Sequence, residues 1–127
     1  MPDTTATTDL GARFVEAVSD RDADQLGALF AEDIDFRGLT PNRSWEAGDP
    51  AGVVDIVLNQ WFEPKDKFDG PPQVESDAFA DCQRVGYRFR GHNPDGPFVV
   101  EQQAYLKEND GRIAWMRVVC TGFLDPG

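Results

Sequence analysis

The segment QAYLKENDGRIAWMRV, residues 103–118, contains the pattern that decides the fold class. Asp110-Gly111 is a hairpin signal, because both central positions of a type I′ turn need positive φ. Residues 98–107 before this turn read as one strand, and residues 112–123 after it read as the next. The segment therefore predicts an antiparallel β-hairpin near the end of the chain.

Two further strands are predicted upstream of this hairpin. Residues 84–90 alternate large apolar side chains with arginines, as a half-buried strand does. Residues 73–80 form a strand behind the break at Pro71-Pro72, and the turn cluster at residues 93–96 leads into the hairpin. The second half of the chain therefore predicts a meander of antiparallel strands.

The first half has helical spacing instead. Thr8 and Asp22 can cap two helical segments, and residues 34–39 read as a short strand. Asp49-Pro50 is a strong helix start, because the carboxylate accepts first-turn amides and proline lacks an N–H that the first turn does not need. The helix that follows carries an apolar stripe of Val53, Val54, Val57, Leu58, Trp61 and Phe62. Helices followed by antiparallel strands predict an α+β fold, with helices on one face of a curved sheet.

Length and composition limit the function classes. The chain has 127 residues, 40% of them hydrophobic and 11% aromatic, which predicts a single domain. We expect this domain to span residues 9–124, after a flexible tail at residues 1–8. The formal charge of −11 argues against nucleic acid and against an anionic membrane surface, since both need a basic face. No secretion signal and no run of about 20 apolar residues is present, so a cytoplasmic location is expected.

Cysteine and histidine are scarce. Cys82, Cys120 and His92 are three scattered residues, whereas a closed zinc site needs four ligands at set spacings. We therefore expect no metal and no cofactor. The two cysteines are expected to be reduced core residues.

The order of elements, together with the segment LGARFVEAVSDRDADQLGALFAEDIDFRG at residues 10–38 and the hairpin quoted above, resembles the nuclear transport factor 2-like superfamily. The similarity is to its SnoaL-like and ketosteroid-isomerase-like members in particular. It implies a cone-shaped α+β barrel, with N-terminal helices packed on a curved, mostly antiparallel sheet around an apolar pocket. It implies no single activity, because the superfamily includes isomerases, cyclases, epoxide hydrolases, dehydratases and pocket proteins.

The isomerase branch of the superfamily gives a sharp test. The resemblance places Phe14 where that branch has a tyrosine, Gly38 at the position of its aspartate base, and Gln103 at its protonated aspartic acid. These residues offer no hydroxyl, no base and no acid, so the isomerase mechanism is excluded. The Asp/Arg/Asp set of the epoxide hydrolases is also missing.

The resemblance implies that the side chains of Glu101 and Gln103 point into the pocket. There Glu101 is the candidate acid/base, because an apolar surrounding disfavours its charged form, while Gln103 and Tyr87 would orient a substrate carbonyl. The alternative is a register one residue different, in which Glu101 pairs with Arg88 on the outer face. The pocket-lining candidates are Phe14, Trp45, Trp61, Phe89, Val99, Tyr105, Met116, Val118 and Cys120.

The remaining candidates lie at the pocket rim and on the convex face. His92, Arg37 and Arg43 are rim candidates for proton transfer or for holding an anionic substrate. An apolar convex patch would favour a homodimer through the backs of the two sheets. The patch residues are Phe98, Val100, Ala104, Leu106, Trp115 and Val119. Two functions stay open: a cofactor-independent isomerase, cyclase or dehydratase acting on a small, mostly apolar molecule through Glu101, and a non-catalytic ligand-binding or accessory homodimeric module.

Overall fold

The computed structural model of the protein describes residues 10–41 and 43–124. The predicted N-terminal tail and the Thr8 cap lie outside these ranges. The helices are α1 (Leu10–Asp20), α2 (Ala23–Gly27) and α3 (Pro50–Val54), which continues as a π-helical turn (Asp55–Gln60). The strands are β1 (Phe30–Thr40), β2 (Arg43–Ala47), β3 (Lys67–Phe68), β4 (Gln73–Phe79), β5 (Cys82–Asn93), β6 (Gly96–Asn109) and β7 (Arg112–Cys120).

Two of the predicted helix caps are confirmed. The Asp22 carboxylate accepts a hydrogen bond from the backbone N–H of Gln25 at 3.0 Å, at the start of α2. The Asp49 carboxylate accepts one from the N–H of Gly52 at 2.7 Å, and Pro50 occupies the first turn of α3. Each cap satisfies a first-turn donor that has no partner within its own helix.

The strands form a seven-stranded sheet in the order β2-β1-β7-β6-β5-β3, with β4 also paired to β5. All pairs are antiparallel except β1 with β7. The predicted fold class is confirmed, since the helices pack on one face of a curved, mostly antiparallel sheet. Among the described residues the sheet stays open and does not close into a barrel. Sequence patterns missed β2 and β3, because β3 has only two residues and β2 has one large apolar side chain.

The core lies between the helices and the concave face of the sheet. Phe14 of α1 is fully buried there, with its ring edge-on to Phe30 at 6.3 Å and to Tyr87 at 6.0 Å between centroids. The inward residues of β6 and β7, such as Leu106 and Met116, complete it. No helix within the described ranges is long and apolar enough to cross a membrane.

The β5–β6 hairpin has a two-residue turn and no bulge. Asn93 pairs with Gly96, and the Asn93 side-chain oxygen accepts a hydrogen bond from the backbone N–H of Asp95 at 2.9 Å. Counting back from this turn places Tyr87 opposite Gln102. Since Tyr87 faces the core, the even-numbered residues of β6 face it too.

The β6–β7 hairpin contains a bulge that the sequence did not reveal. Asp110-Gly111 forms the turn as predicted, and Glu108 pairs with Ile113. Lys107 then pairs with Trp115, which leaves Ala114 as an extra residue on β7. A single inserted residue shifts all later pairs by one and so exchanges the faces of the partner strand.

Candidate functional site

A small cavity of about 170 Å³ lies on the concave side of the sheet. Most of its walls are apolar or aromatic, and it is bounded by β1, β2, β6, β7, the π-helical turn and the chain after β7. The residues that line it are Thr40, Trp45, Gln60, Trp61, Phe62, Val100, Gln102, Cys120, Gly122 and Phe123. A cavity of this size accommodates a molecule comparable to a substituted benzene.

A buried chain of polar groups forms one wall of the cavity. The Tyr87 hydroxyl donates a short hydrogen bond to the side-chain oxygen of Gln102, which is only 1% exposed. The Gln102 Nε2 donates to the sulfur of Cys120 at 3.2 Å, and the backbone N–H of Gly122 donates to the same sulfur at 3.3 Å. The amide of Gln102 is therefore fixed between a phenol and a thiol.

Tyr87 acts in this chain as a neutral donor. Burial raises the pKa of its hydroxyl well above the ordinary value, and the neighbouring Cys120 raises it further. The phenol therefore keeps its proton at neutral pH and holds the orientation of the Gln102 amide.

Trp61 provides a second polar group, which is unsatisfied. Its side chain is 9% exposed, and its indole N–H is buried without a hydrogen-bond partner among the described residues. The ring lies directly over Gly38, where an added Cβ would be 2.7 Å from Trp61 Cζ2. Gly38 is thus required for this placement of the ring.

The π-helical turn places Gln60 and Trp61 together at the cavity. The backbone N–H of Trp61 donates to the backbone carbonyl of Ile56, five residues earlier, at 2.9 Å. The Asp55 carboxylate accepts hydrogen bonds from Asn59 and Gln60 at 3.2 Å each. Such wide turns within helices often occur at functional sites.

Trp45 closes the cavity on the β2 side. Its indole N–H donates to the Thr40 hydroxyl at 2.8 Å, which ties β2 to the end of β1. The guanidinium of Arg43 lies 3.7 Å from the centroid of the Trp45 ring. Arg43 therefore covers the outside of this wall through a cation–π contact.

The predicted inward orientation of Glu101 and Gln103 is wrong. Glu101 lies on the outer face, where its half-exposed carboxylate is 3.5 Å from Arg88 Nη2. Gln103 also faces outward and accepts a hydrogen bond from Arg84 at 2.7 Å. The bulge at Ala114 is the cause, because it places Gln102 opposite Cys120 and gives Gln102 the inward position expected for Gln103.

The other predicted pocket residues divide into three groups. Trp45, Trp61 and Cys120 line the cavity, and Tyr87 contacts it through Gln102. The residues buried in the core beyond the cavity are Phe14, Phe89, Met116 and Val118. Two were predicted on the wrong face: Tyr105 is exposed on the outer side, and Val99 is buried, with its backbone bridged to that of Leu124.

The rim candidates lie away from the cavity lining. His92 is exposed, with its Nδ1 2.7 Å from a carboxylate oxygen of Asp69. Arg37 lies on the outer face, 3.8 Å from Glu46. Neither residue lines the cavity, and Arg43 contacts it only through Trp45.

The predicted convex patch is largely wrong. The four β6 residues in it are core residues: Phe98, Val100, Ala104 and Leu106. Val119 is half exposed on the outer face as expected, and Trp115 is partly covered there by the cations of Lys107 and Arg117. Exposed Leu39 and Tyr105 extend what remains of this surface.

The chemistry available in the cavity is that of neutral donors. Within residues 10–41 and 43–124, no carboxylate and no histidine lines it. A larger hollow of about 500 Å³ lies over Gly86, beside Arg88 and Glu101, but it is an open groove on the outer face. The cavity therefore provides aromatic walls, one thiol and, among the described residues that line it, a single side-chain N–H without a partner, that of Trp61.

Sequence reasoning missed seven of the ten residues that line the cavity, among them Gln102, Thr40 and Phe123. Gln102 could have been predicted as the alternative to Gln103, because successive side chains of a strand point to opposite faces and only one of two adjacent glutamines can face inward. Phe123 follows the last strand and lines the cavity while stacking on Phe98 at 4.5 Å. No local pattern predicts that return of the chain.

Comparison with known proteins shows the fold class. No family model and no curated protein matches the sequence. Among solved structures, a protein from Rhodopseudomonas palustris described as a putative isomerase is 18% identical, with a TM-score of 0.70, and the match covers 87% of this chain and 88% of that protein. An LEH-like epoxide hydrolase from M. tuberculosis is 13% identical, with a TM-score of 0.68, and the match covers 94% of this chain and 85% of that protein. A protein from Sinorhizobium meliloti described as a putative polyketide cyclase is 19% identical, with a TM-score of 0.63, and the match covers 92% of this chain and 99% of that protein.

Matches at these identities establish a shared fold alone. The chain has the nuclear transport factor 2-like fold, as the sequence resemblance implied. Its cavity lies between helices and the concave sheet face, the place where the resemblance implies a pocket. What the cavity binds must be argued from its own residues.

Proposed function

We propose that this protein is a binding module that holds a small, mostly apolar molecule with one hydrogen-bond acceptor in the cavity between Trp45, Trp61 and Gln102. Catalysis by Glu101 forms no part of the proposal, because its carboxylate lies on the opposite face of β6. The observation that carries the proposal is the buried, unpartnered indole N–H of Trp61 in an aromatic wall. A buried donor without a partner costs about 1–3 kcal/mol, and a ligand whose acceptor displaces the atoms packed over this N–H would recover that cost.

Acetophenone is a suitable probe, because it has one aromatic ring and one carbonyl oxygen. α-Methylstyrene has nearly the same shape but carries a methylene group in place of that oxygen. We expect the wild-type protein to bind acetophenone about tenfold more tightly, as one good hydrogen bond allows. Tryptophan fluorescence and ligand-observed NMR measure both affinities.

The matched variant is Trp61→Phe, which keeps an aromatic ring and removes the N–H. It should bind the two probes equally, with the affinity for α-methylstyrene nearly unchanged. If the wild type binds neither probe, or if Trp61→Phe still discriminates between them, the proposed function is wrong.

We also propose that two copies associate through the outer face of the sheet. Leu39 and Val119 are half exposed there on paired strands, and they line a mostly apolar hollow of about 300 Å³. Charges of both signs surround it, including the Arg37–Glu46 pair, which allows a symmetric contact. Sedimentation at micromolar protein should give a dimer for the wild type and a monomer for Val119→Arg.

Phe79→Arg serves as the control for this association. Phe79 is 82% exposed at the end of β4, far along the sheet from Val119. The Phe79→Arg variant should therefore remain dimeric. A wild-type protein that sediments as a monomer would remove the proposed dimer.

A further inference from the structure

We propose that Phe123 sets the size of the molecule that the cavity accepts and restricts the site to ligands with a single ring. The inference rests on the proposed function and deepens it, because it names the class of ligand. One-ring aryl carbonyl compounds are accepted, and compounds with two fused rings are excluded.

The mouth of the cavity is marked by its exposed wall residues. Among the described residues that line the cavity, Gln60 and Phe123 are exposed, and the others are buried or partly buried. Phe123 is 44% exposed, whereas Trp61 and Phe62 are 9% and 2% exposed. A wall residue that also reaches solvent lies between the interior of a cavity and its surroundings. Gln60 and Phe123 therefore border the opening.

The inner walls are held by the core and do not retreat to admit a larger ligand. Val100 and Gln102 are buried residues of β6, which is paired with β5 along its length. The ring of Phe62 packs edge-on against Phe68 and Phe89, with centroids 5.1 Å and 6.1 Å away. Protein interiors are close-packed, so moving any of these side chains disturbs its neighbours. A ligand that outgrows the cavity must therefore extend through the mouth.

Phe123 is the more firmly held of the two mouth residues. Its ring stacks on the buried ring of Phe98 at 4.5 Å and lies 6.0 Å from that of Phe62, between centroids. Stacking of this kind fixes a ring through contact area and geometry. The Gln60 amide instead donates one exposed hydrogen bond to Asp55 at 3.2 Å, which water can replace. The barrier that a second ligand ring meets is therefore Phe123.

The backbone anchors Phe123 on both sides. Before it, the N–H of Thr121 donates to the carbonyl of Glu101 at 3.0 Å. After it, Leu124 and Val99 exchange two backbone hydrogen bonds of 2.8 Å and 2.9 Å. The segment after β7 is thus paired with β6 around this residue, which fixes the Phe123 ring relative to the cavity.

The probes for the size limit are acetophenone and 2-acetonaphthone, which share the acetyl group and differ by one fused ring. We expect the wild type to bind acetophenone about tenfold more tightly, because the second ring collides with Phe123. Phe123→Ala removes a ring at the mouth, so its affinity for 2-acetonaphthone should rise by about tenfold. Its affinity for acetophenone should fall several-fold through lost contact. Ligand-observed NMR measures the four dissociation constants.

Two further variants control this test. Phe123→Leu removes part of the ring and keeps apolar contact with Phe98, so its preference between the probes should lie between those of the wild type and Phe123→Ala. It also provides the test if circular dichroism shows that Phe123→Ala is unfolded. Phe79 is 82% exposed and lies outside the cavity lining, so Phe79→Ala should bind both probes as the wild type does. A wild type that binds both probes equally, or folded Phe123 variants that keep the wild-type preference, would overturn the inference.

Comparison with α-methylstyrene separates this inference from the proposed function. Acetophenone and 2-acetonaphthone carry the same carbonyl acceptor, so their ratio of affinities does not depend on the Trp61 N–H. If the wild type prefers acetophenone to α-methylstyrene but the Phe123 variants leave the size preference unchanged, only the size limit is wrong. If the size preference changes as expected but acetophenone and α-methylstyrene bind equally, the size limit stands and the proposed hydrogen bond to the ligand is wrong.

Discussion

Replacing Phe14 with alanine is expected to lower the free energy of unfolding by about 3–5 kcal/mol. The side chain is fully buried and touches Phe30 and Tyr87 edge-on, so its removal leaves a cavity that α1 and the sheet cannot fill. Urea unfolding followed by circular dichroism measures the change. The same variant should also loosen the wall behind Gln102, because Tyr87 loses its support.

Phe79→Ala is the matched control, since Phe79 is 82% exposed. Its free energy of unfolding should change by no more than about 0.5 kcal/mol. A cost for Phe14→Ala as small as that of the control would mean that α1 does not pack on the sheet as described.

Gly38→Ala should destabilise the fold and close the cavity together. Its Cβ would lie 2.7 Å and 2.9 Å from two carbons of the Trp61 ring, closer than real Cβ contacts. The ring must move, and overpacking of this kind costs about 1–3 kcal/mol. We expect acetophenone affinity to fall by about tenfold or more, measured by the same fluorescence titration.

Gly48→Ala controls for the loss of a glycine. No atom lies within 4 Å of a Cβ built there, so the substitution adds a methyl group in open space. Stability should stay within about 0.5 kcal/mol, and acetophenone binding should not change. If Gly38→Ala behaved in the same way, Trp61 would not lie over the sheet as described.

Local chemistry was sufficient to predict most of the fold. The Asp22 and Asp49 caps, the helical stripes and the Asp110-Gly111 turn each act over a few residues, and each is confirmed. The short strand β2 was missed, because its pairing with β1 brings Trp45 opposite Gly38, and no residue within β2 announces that pairing. The parallel pairing of β1 with β7 is likewise a long-range contact.

The site was harder to predict, because it depends on whether the odd-numbered or the even-numbered residues of β6 face the core. Tyr87, Trp61 and Cys120 were recognised as candidates from their residue types and positions. Glu101 was predicted on the wrong face, because the alignment implied by the resemblance requires regular pairing across the β6–β7 hairpin, whereas Ala114 is bulged. The Asn93–Gly96 turn gives the correct parity when it is read without a bulge, and it leads to Gln102.

The extra residue at Ala114 also limits how the length of this chain can vary. The β5–β6 hairpin directs the even-numbered residues of β6 toward the core, whereas regular pairing across the β6–β7 turn would place them opposite the outward residues of β7. The extra residue at Ala114 shifts the pairing by one, so that the inward residues of both strands lie opposite each other. Deleting Ala114 would force β6 or β7 to expose its apolar face to solvent. Related chains should therefore tolerate insertions and deletions at the exposed tip between Phe79 and Cys82, whereas the count of residues between Lys107 and Met116 should be inherited unchanged.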